Sequence, residues 1–158
     1  MNRLYILIRS ILYRNGEKRA NFYRKNGIYG KIGEKVMIQS YHIPYNPECV
    51  FIGSNVRMAS NVTLITHDVV HKMLNNIPKW GGGDFEEKIG SINIGDNVFI
   101  GANTTIMYDV SIGNNVIIGA GSIVTKDIPD NSVCVGCPCK RIGSFDDFVK
   151  KRMKNGEK

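Results

Sequence analysis

The chain has 158 residues, 42% of them hydrophobic and 22% charged, which suits one globular domain and excludes a disordered chain. The formal net charge of +7 arises at the ends, because residues 1–31 hold eight basic residues and one acidic, whereas residues 32–139 hold six basic and ten acidic. A duplex-binding surface would run along the folded surface, so this distribution disfavours nucleic acid as a partner.

The first predicted element is a helix over residues 2–14. Leu4, Ile8, Ile11 and Leu12 recur at helical spacing and share one face, with arginines between them. We expect this face to pack on the first coil of the fold or on a neighbouring subunit. The alternative is peripheral membrane contact, in which apolar residues flanked by arginine lie on an anionic surface.

The same segment bears on localisation. Its longest apolar run, residues 4–8, is far shorter than the ~20 residues of a membrane span, and no signal-peptide cleavage site follows it. Because no secretory signal is evident, we expect the four cysteines to be reduced thiols. We expect a cytoplasmic protein, with the inner membrane surface as a further option.

Six-residue repeats begin after residue 30 and are interrupted twice. Residues 32–37 fit the pattern, residues 41–48 break it, and residues 52–67 restore it; Pro44 and Pro47 predict an irregular coil at the break. From 68 to 91 the pattern is lost, so we expect a long loop that leaves the repeat and returns. Insertions into repeat proteins lie on one face, often the binding face, and a loop this long is usually functional.

Residues 94–129 repeat every six residues without a slip. All six sextets begin with Ile or Val, and four of them carry Gly at the second position. Six is a multiple of two, so a strand would point the same positions inward on every pass, whereas a helix would scatter them. Asn and Gly between the apolar positions supply turns. The pattern predicts an all-β solenoid of short parallel strands over residues 31–143.

The end of the chain predicts a second helix. A turn-rich stretch after Pro129 ends the repeats, and Ser144 then precedes two aspartates and an apolar set at helical spacing. We expect this helix to cap the open end of the solenoid, since terminal coils need covering. The predicted organisation is an N-terminal helical segment (1–30), the solenoid (31–143) and a C-terminal helix and tail (144–158).

The sextets resemble those of the hexapeptide-repeat acyltransferases. Residues 118–129 (IGAGSIVTKDIP), followed by residues 136–140 (GCPCK), resemble the sugar O-acetyltransferases of galactoside, maltose and capsular-polysaccharide type. The resemblance implies a left-handed parallel β-helix with three sextets per coil, and a homotrimer whose active sites lie between subunits. It also implies transfer of an acetyl group from acetyl-CoA to a sugar hydroxyl, without a metal. The hand rests on the resemblance alone, since parallel crossovers are normally right-handed.

The resemblance assigns the catalytic role to His67, at the junction between the last regular sextet and the long loop. Neutral imidazole accepts the proton of the acceptor hydroxyl as its oxygen attacks the acetyl thioester, and can then protonate the departing thiolate. Asp68 is adjacent, but neighbours on a strand point to opposite faces, so we do not assign it as the orienting carboxylate. A structural histidine at a loop root is the alternative.

The resemblance also implies binding residues for both substrates. Small residues let the pantetheine arm approach the backbone, and lysines meet the phosphates of CoA. The implied donor-binding positions are Ala102, whose N–H is the expected oxyanion donor, Ala120, Thr125, Lys126 and Lys140. Gly143 replaces a second basic residue of some relatives, so Arg141 is an alternative contact for the 3′-phosphate, and Phe99 replaces a common Trp.

For the acceptor, the implied contacts are Gln39, His71 and Trp80. Trp80 can stack on a sugar or on the pantetheine arm, or it can simply anchor the loop. His71 matches a second histidine that some sugar acetyltransferases carry, and a plain loop residue is its alternative. His42 matches no position of the family.

Other functions stay open at this stage. The acceptor could be a streptogramin-like antibiotic or serine. The γ-class carbonic anhydrases share the fold and bind zinc through three histidines, but the spacing of His67 and His71 is one residue shorter than theirs. Cys134, Cys137 and Cys139 could bind a metal, although a family turn that carries Cys is simpler. A non-catalytic scaffold would need no special residue at the loop root, so His67 counts against it.

Overall fold

The computed structural model describes residues 3–80 and 83–156, apart from the side chains of Trp80 and residues 154–156. Its helices are α1 (Arg3–Leu12), α2 (Gly16–Lys25), α3 (Val70–Asn75) and α4 (Phe145–Gly156), with 3-10 turns at Pro47–Cys49 and Pro78–Trp80. The strands, in chain order, are β1 (Lys31–Ile32), β2 (Met37–Ile38), β3 (Val50–Ile52), β4 (Arg57–Met58), β5 (Thr63–Leu64), β6 (His67–Asp68), β7 (Lys88–Ile89), β8 (Ile92–Ile94), β9 (Val98–Ile100), β10 (Thr105–Ile106), β11 (Val110–Ile112), β12 (Val116–Ile118), β13 (Ile123–Val124), β14 (Ser132–Val135) and β15 (Lys140–Gly143).

Three parallel sheets hold most of these strands, and the chain visits them in turn. Sheet I has the order β1-β3-β8-β11, sheet II the order β2-β4-β9-β12-β14-β15, and sheet III the order β5-β10-β13. Only the pairing of β15 with β14 is antiparallel within these three sheets of the described chain. We call the turns between sheets the I–II, II–III and III–I corners. Three sextets thus make one circuit.

The spacing of stacked residues measures the length of each circuit. Asp96 and Asn114 occupy equivalent positions in adjacent circuits and are 18 residues apart, which is three sextets. Ser54 and Asp96 are 42 residues apart. The 24 additional residues equal the length of the stretch 68–91. The first circuit, which contains the irregular stretch 41–48, is 20 residues long, and the last is 16.

The core lies between the three sheets and is filled by the first and fifth positions of the sextets. The first-position residues are almost fully buried, with exposures of 4% or less at Ile94, Ile100, Ile106, Ile112, Ile118 and Val124. Full burial of an Ile or Val side chain contributes about 1.5–3 kcal/mol to stability. Because inward positions recur at even spacing, the same residues stack in columns along the molecule.

Asparagines form the I–II corner. Asn55, Asn97 and Asn115 have φ angles of 56°, 57° and 55°, a left-handed conformation that Asn tolerates better than most residues. Each side chain bonds to the next, with 2.9 Å from Asn55 Nδ2 to Asn97 Oδ1 and from Asn97 Nδ2 to Asn115 Oδ1. The corner therefore satisfies its own polar groups as the circuits stack.

The N-terminal end of the sheets is covered by α2, not by α1. Arg19 of α2 is 1% exposed, and its guanidinium donates to the carbonyl oxygens of Ile38 (2.7 Å) and Gln39 (2.9 Å) in the first circuit. The predicted apolar face of α1 is exposed instead, to between 52% and 67%, at Leu4, Ile8, Ile11 and Leu12. The prediction that this face packs on the first circuit is wrong.

At the C-terminal end, β14 and β15 extend sheet II beyond Pro129, where the regular sextets stop, and both lie within the predicted range of 31–143. Ser144 caps α4, accepting from the Asp147 N–H at 3.1 Å. However, α4 does not cap the end of the sheets: it runs along the outer face of sheet II, where Phe145 and Phe148 line a groove of about 390 Å³ with Phe99 and Ile117.

Among the described residues, no helix is both long enough and apolar enough to cross a membrane.

Candidate active site

His67 lies where the chain leaves sheet III. It opens β6, which pairs antiparallel with β7, and the Gly90 N–H donates to the Thr66 carbonyl oxygen at 2.9 Å. We call residues 68–91 the extruded segment. The pairing of β6 with β7 closes the base of this segment and fixes the backbone on both sides of His67. The extruded segment leaves the repeat and returns as predicted for a long loop, and it also contains α3 and the turn Pro78–Trp80.

A tyrosine that the sequence did not single out packs on His67. The ring centroids of Tyr45 and His67 are 4.7 Å apart, with 35° between the ring planes. Both residues line a pocket of about 250 Å³ together with His42 and residues 63–66. Nδ1 of His67 is enclosed and has no hydrogen-bond partner among the described residues, so proton transfer by this imidazole would have to use Nε2.

Asp68 faces away from this imidazole and holds the extruded segment. Its carboxylate accepts a hydrogen bond from the Tyr108 hydroxyl at 2.7 Å and another from the Val70 N–H at 3.1 Å. The Tyr108 bond, followed by the Val70 bond, lowers the pKa of Asp68 below its ordinary value. No hydrogen bond joins Asp68 to His67 in the described structure. Asp68 therefore anchors the segment and does not orient the base.

A second polar contact strengthens the same anchor. Lys88 of β7 forms an ion pair of 2.6 Å with Asp109, the residue after Tyr108. A hydrogen bond from Lys88 to the Asp109 carboxylate raises the pKa of the lysine. Both contacts join the base of the extruded segment to the III–I corner of the next circuit.

The predicted acceptor residues lie apart from one another. His71 is half-buried on α3, and its Nδ1 is also enclosed without a partner. Gln39 is exposed at the II–III corner, where its Oε1 lies 3.5 Å from Ser60 Oγ, and it does not line the His67 pocket. Trp80 ends a 3-10 turn, and its side chain lies outside the described part of the chain. His42, which had no predicted role, does line the His67 pocket.

The predicted donor residues fall at two corners. Ala102 and Ala120 stack one circuit apart at the II–III corner, and Lys140 lies beside it, paired with Val135 at the end of β14. Thr125 and Lys126 follow β13 and lie at the III–I corner, the corner that His67 occupies two circuits away. One chain therefore does not bring these residues into one site.

Free polar groups at these positions fit a phosphorylated thioester donor. The Ala102 N–H donates to no acceptor in the described chain, and the same is true of Ser60 and Ala120 at the equivalent positions of this corner. Lys126 and Lys140 are exposed and form no ion pair with any described residue. Arg141 is less available, because Nε donates to Ser132 Oγ at 3.1 Å and Nη2 to the Asn131 carbonyl oxygen at 3.3 Å.

The cysteines near the C-terminal end are not arranged as a metal site. Cys134 is 2% exposed, and burial raises the pKa of its thiol to about 11. Burial also raises the pKa of Cys139, whereas Cys137 is exposed. No group of three or more His, Cys, Asp or Glu side chains in the described residues could hold a metal ion.

Comparison with known proteins places these features in context. The family model "Bacterial transferase hexapeptide (six repeats)" matches residues 91–126. Protein CapG of Staphylococcus aureus is 41% identical over 115 residues, which are 70% of this chain and 62% of CapG. The chain spans about half to three-fifths of the length of the curated relatives it matches, with 62%, 57% and 47% for three of them.

Two solved structures are similar over more of their length. The crystal structure of a maltose O-acetyltransferase from Clostridium difficile 630 is 31% identical, with a TM-score of 0.65, and the match covers 90% of this chain and 85% of that one. A galactoside acetyltransferase in complex with coenzyme A is 30% identical, with a TM-score of 0.57, over 85% of this chain and 73% of that one.

Proposed function

Because this chain belongs to the hexapeptide-repeat acyltransferase family, we propose that it is an O-acetyltransferase that moves an acetyl group from acetyl-CoA to a sugar hydroxyl. The observation that carries the proposal is His67, which is fixed at the base of the extruded segment and lines a pocket beside the ring of Tyr45. The relatives are enzymes or complexes named for galactoside and maltose acetyl transfer. We further propose that the three sheets wind as the left-handed β-helix of this family.

The proposed chemistry is direct transfer with His67 as general base. Nε2 takes the proton of the acceptor hydroxyl while its oxygen forms the new bond to the acetyl carbonyl carbon. The carbon–sulfur bond breaks, and the imidazolium returns the proton to the departing thiolate, which leaves an acetyl ester and a free thiol. General acid–base catalysis of this kind is worth about 10²–10⁴-fold in rate.

Charge on the carbonyl oxygen needs a hydrogen-bond donor, and the unpartnered Ala102 N–H supports that role. Since His67 and Ala102 lie at different corners of one chain, we propose that a partner subunit's Ala102 completes each site. A homotrimer, in which each corner meets a neighbouring chain, satisfies this requirement for every copy. Lys126 and Lys140 would then bind the phosphates of CoA as point charges.

The acceptor pocket supports a sugar more than a flat or charged acceptor. Tyr45 is 62% exposed although it packs on His67, so an aromatic ring stands open beside the base. Aromatic faces pack well on the apolar faces of sugar rings. The resemblance of residues 118–129 to sugar O-acetyltransferases of capsular-polysaccharide type supports surface-polysaccharide synthesis as the setting. We therefore propose a glycoside or nucleotide sugar as the acceptor.

The test is acetyl-CoA turnover, measured as CoA release by chromatography with and without acceptor. Chromatography avoids thiol reagents, which would also react with the exposed Cys137. The panel of acceptors is nucleotide sugars, simple glycosides, serine and a streptogramin. We expect release that depends on a sugar and falls by about 10²-fold or more in His67→Ala.

The matched controls are His71→Ala and His42→Ala, which remove the other two imidazoles. We expect both to change the KM of the acceptor more than kcat, because neither imidazole packs on Tyr45 or lies at the base of the extruded segment. A loss of kcat in His42→Ala or His71→Ala that equals the loss in His67→Ala would contradict the assignment of the base. Release with serine or the antibiotic alone would reassign the acceptor, and bicarbonate dehydration with bound zinc would replace the reaction.

A further inference from the structure

The outer face of α1 is apolar and stays exposed within the part of the chain that the structure describes. Ile8, Ile11 and Leu12 are 52%, 60% and 67% exposed, and Tyr5 beside them is 48% exposed. The opposite face fixes the helix on the molecule, since Ser10 is fully buried and Ile6 and Tyr13 pack against the core. We call Tyr5, Ile8, Ile11 and Leu12 the outer stripe. The helix is thus held by one face while it presents a second apolar face to the outside.

Positive charge surrounds the outer stripe. Arg14, Lys18 and Lys25 follow it along the chain and are exposed. Residues 1–31 hold one acidic residue, Glu17, and its carboxylate is already paired with Arg57 at 2.5 Å. The local field is therefore positive and is not balanced by a free carboxylate of this segment.

We propose that the outer stripe docks on an anionic lipid membrane surface. A short helix of this composition lies in the plane of the interface with its apolar side chains among the acyl chains and its cations at the headgroups. A second copy of the chain fits less well, because pairing two outer stripes would bring like charges together. Three copies of the stripe in one trimer would add their contributions by multivalency.

The docked helix would be connected to the candidate active site. The Arg3 guanidinium donates to the carbonyl oxygens of Ile43 (3.1 Å) and Tyr45 (3.2 Å), and it lies 5.6 Å from the Tyr45 ring centroid. Tyr45 in turn packs on His67. The docking itself is independent of the proposed reaction. Its use, which is to hold the acceptor pocket beside a sugar carried on a lipid, rests on the proposed function.

The experiment is flotation of the full chain with vesicles of phosphatidylcholine containing about one third phosphatidylglycerol, against vesicles of phosphatidylcholine alone. We expect binding to the anionic vesicles and at least about five-fold weaker binding to the neutral ones or at high salt. The variant Ile8→Ser/Ile11→Ser/Leu12→Ser should lose at least about ten-fold in partitioning, because it removes the apolar side chains that insert.

Two further variants test whether a loss of vesicle binding is specific to the outer stripe and depends on positive charge. Met73→Ser/Ile142→Ser removes exposed apolar side chains of similar size far from α1 and should float as the wild type does. Arg14→Glu/Lys18→Glu leaves the stripe intact and should weaken flotation at low salt. A circular dichroism spectrum equal to that of the wild type shows that the triple-serine variant is folded.

Several results would overturn the proposal. Equal flotation of the wild type and the triple-serine variant would contradict the proposal, and so would a failure of both to float. A triple-serine variant that elutes as a smaller particle on gel filtration would show that the stripe pairs copies of the chain instead. Acetyl transfer to a soluble glycoside should be the same in the triple-serine variant as in the wild type. A wild type that floats with anionic vesicles but transfers no acetyl group would refute the proposed reaction and leave the proposed docking intact.

Discussion

Tyr45 shows how a single residue outside the repeat can shape a site. It lies in the irregular stretch 41–48, where the first circuit has two residues more than a regular one. The two additional residues let the chain bulge towards the III–I corner, and the Tyr45 ring comes to rest on His67. The contact restrains the plane of the imidazole and gives the pocket an aromatic wall.

Replacement of Tyr45 tests this role. Tyr45→Ala should raise the KM of the acceptor and lower kcat/KM by about three- to ten-fold, because an aromatic contact contributes about 0.5–1.5 kcal/mol. The KM of acetyl-CoA should stay within about two-fold. Tyr45→Phe is the matched control and should retain activity, since the contact uses the ring and not the hydroxyl. A Phe variant as impaired as the Ala variant would contradict the stacking role.

At the same scale, the sequence identified His67 but not Tyr45. The histidine stands at a break in the repeat, and the resemblance to the family gave it a role. The stretch around Tyr45 has no period, so no pattern relates it to a particular corner. Gln39 was placed at the acceptor by a loose alignment, whereas its exposed side chain lies beside Ser60 at the II–III corner.

At the scale of elements, the extruded segment is held by polar contacts to the next circuit. Tyr108 and Asp109 lie at the III–I corner and bind Asp68 and Lys88, one on each strand of the small ladder. Because the hydrogen bond from Tyr108 lowers the pKa of Asp68, the folded chain favours the ionised carboxylate. This contribution to stability is present above the unfolded pKa of Asp68, about 4, and is lost as the pH falls through the lower folded pKa.

The variant Tyr108→Phe should loosen the base of the extruded segment. It removes the largest cause of the lowered pKa, so the pKa of Asp68 should rise towards its ordinary value. At pH 7, hydrogen exchange at the Gly90 amide should speed up by about five-fold, as expected for the loss of one hydrogen bond that solvent weakens. The difference in protection between wild type and variant should shrink as the pH falls through the lowered pKa of Asp68 in the wild type.

Amides of α2 serve as the internal control, because this helix lies at the other end of the sheets and should exchange equally in both proteins. Unchanged protection of Gly90 at neutral pH would mean that the strand ladder alone holds the segment. A gain in exchange throughout the chain would mean that Tyr108 stabilises the whole fold.

The elements also differ in how far sequence could predict them. The sextets from Ile94 onward specify both strand and burial, because their apolar positions recur at even spacing and only a strand buries them together. α2 was missed as a separate helix because a charged residue, Arg19, interrupts its buried face. This arginine is buried because it donates to carbonyl oxygens of the first circuit. The pattern of α4 predicted a helix, but a pattern within one element does not specify which surface its apolar face meets.

For the whole molecule, the stacked circuits separate the residues that the proposed reaction needs. Each circuit returns to the same corner, after 18 residues where it is regular, so residues at equivalent positions of successive circuits stack and residues of different corners are kept apart. His67 and Lys126 fall at the III–I corner, whereas Ala102 and Ala120 fall at the II–III corner. Neither set crosses a sheet, so the proposed reaction requires a second chain to supply the missing set.

Mixed assemblies of two inactive variants test this division of the site. His67→Ala removes the base, and Ala120→Trp obstructs the donor at an exposed position that the fold can tolerate. Each variant alone should be inactive. If each site takes His67 from one chain and Ala120 from the next, refolding equal amounts of the two variants together should restore about a quarter of the wild-type sites. Half of the chains supply an intact His67 and half supply an intact Ala120, so a site receives both in about a quarter of cases. If one chain supplied both residues, every site would carry one defect and mixing would restore nothing. Recovered CoA release, measured against each variant refolded alone, therefore decides between a shared and a single-chain site.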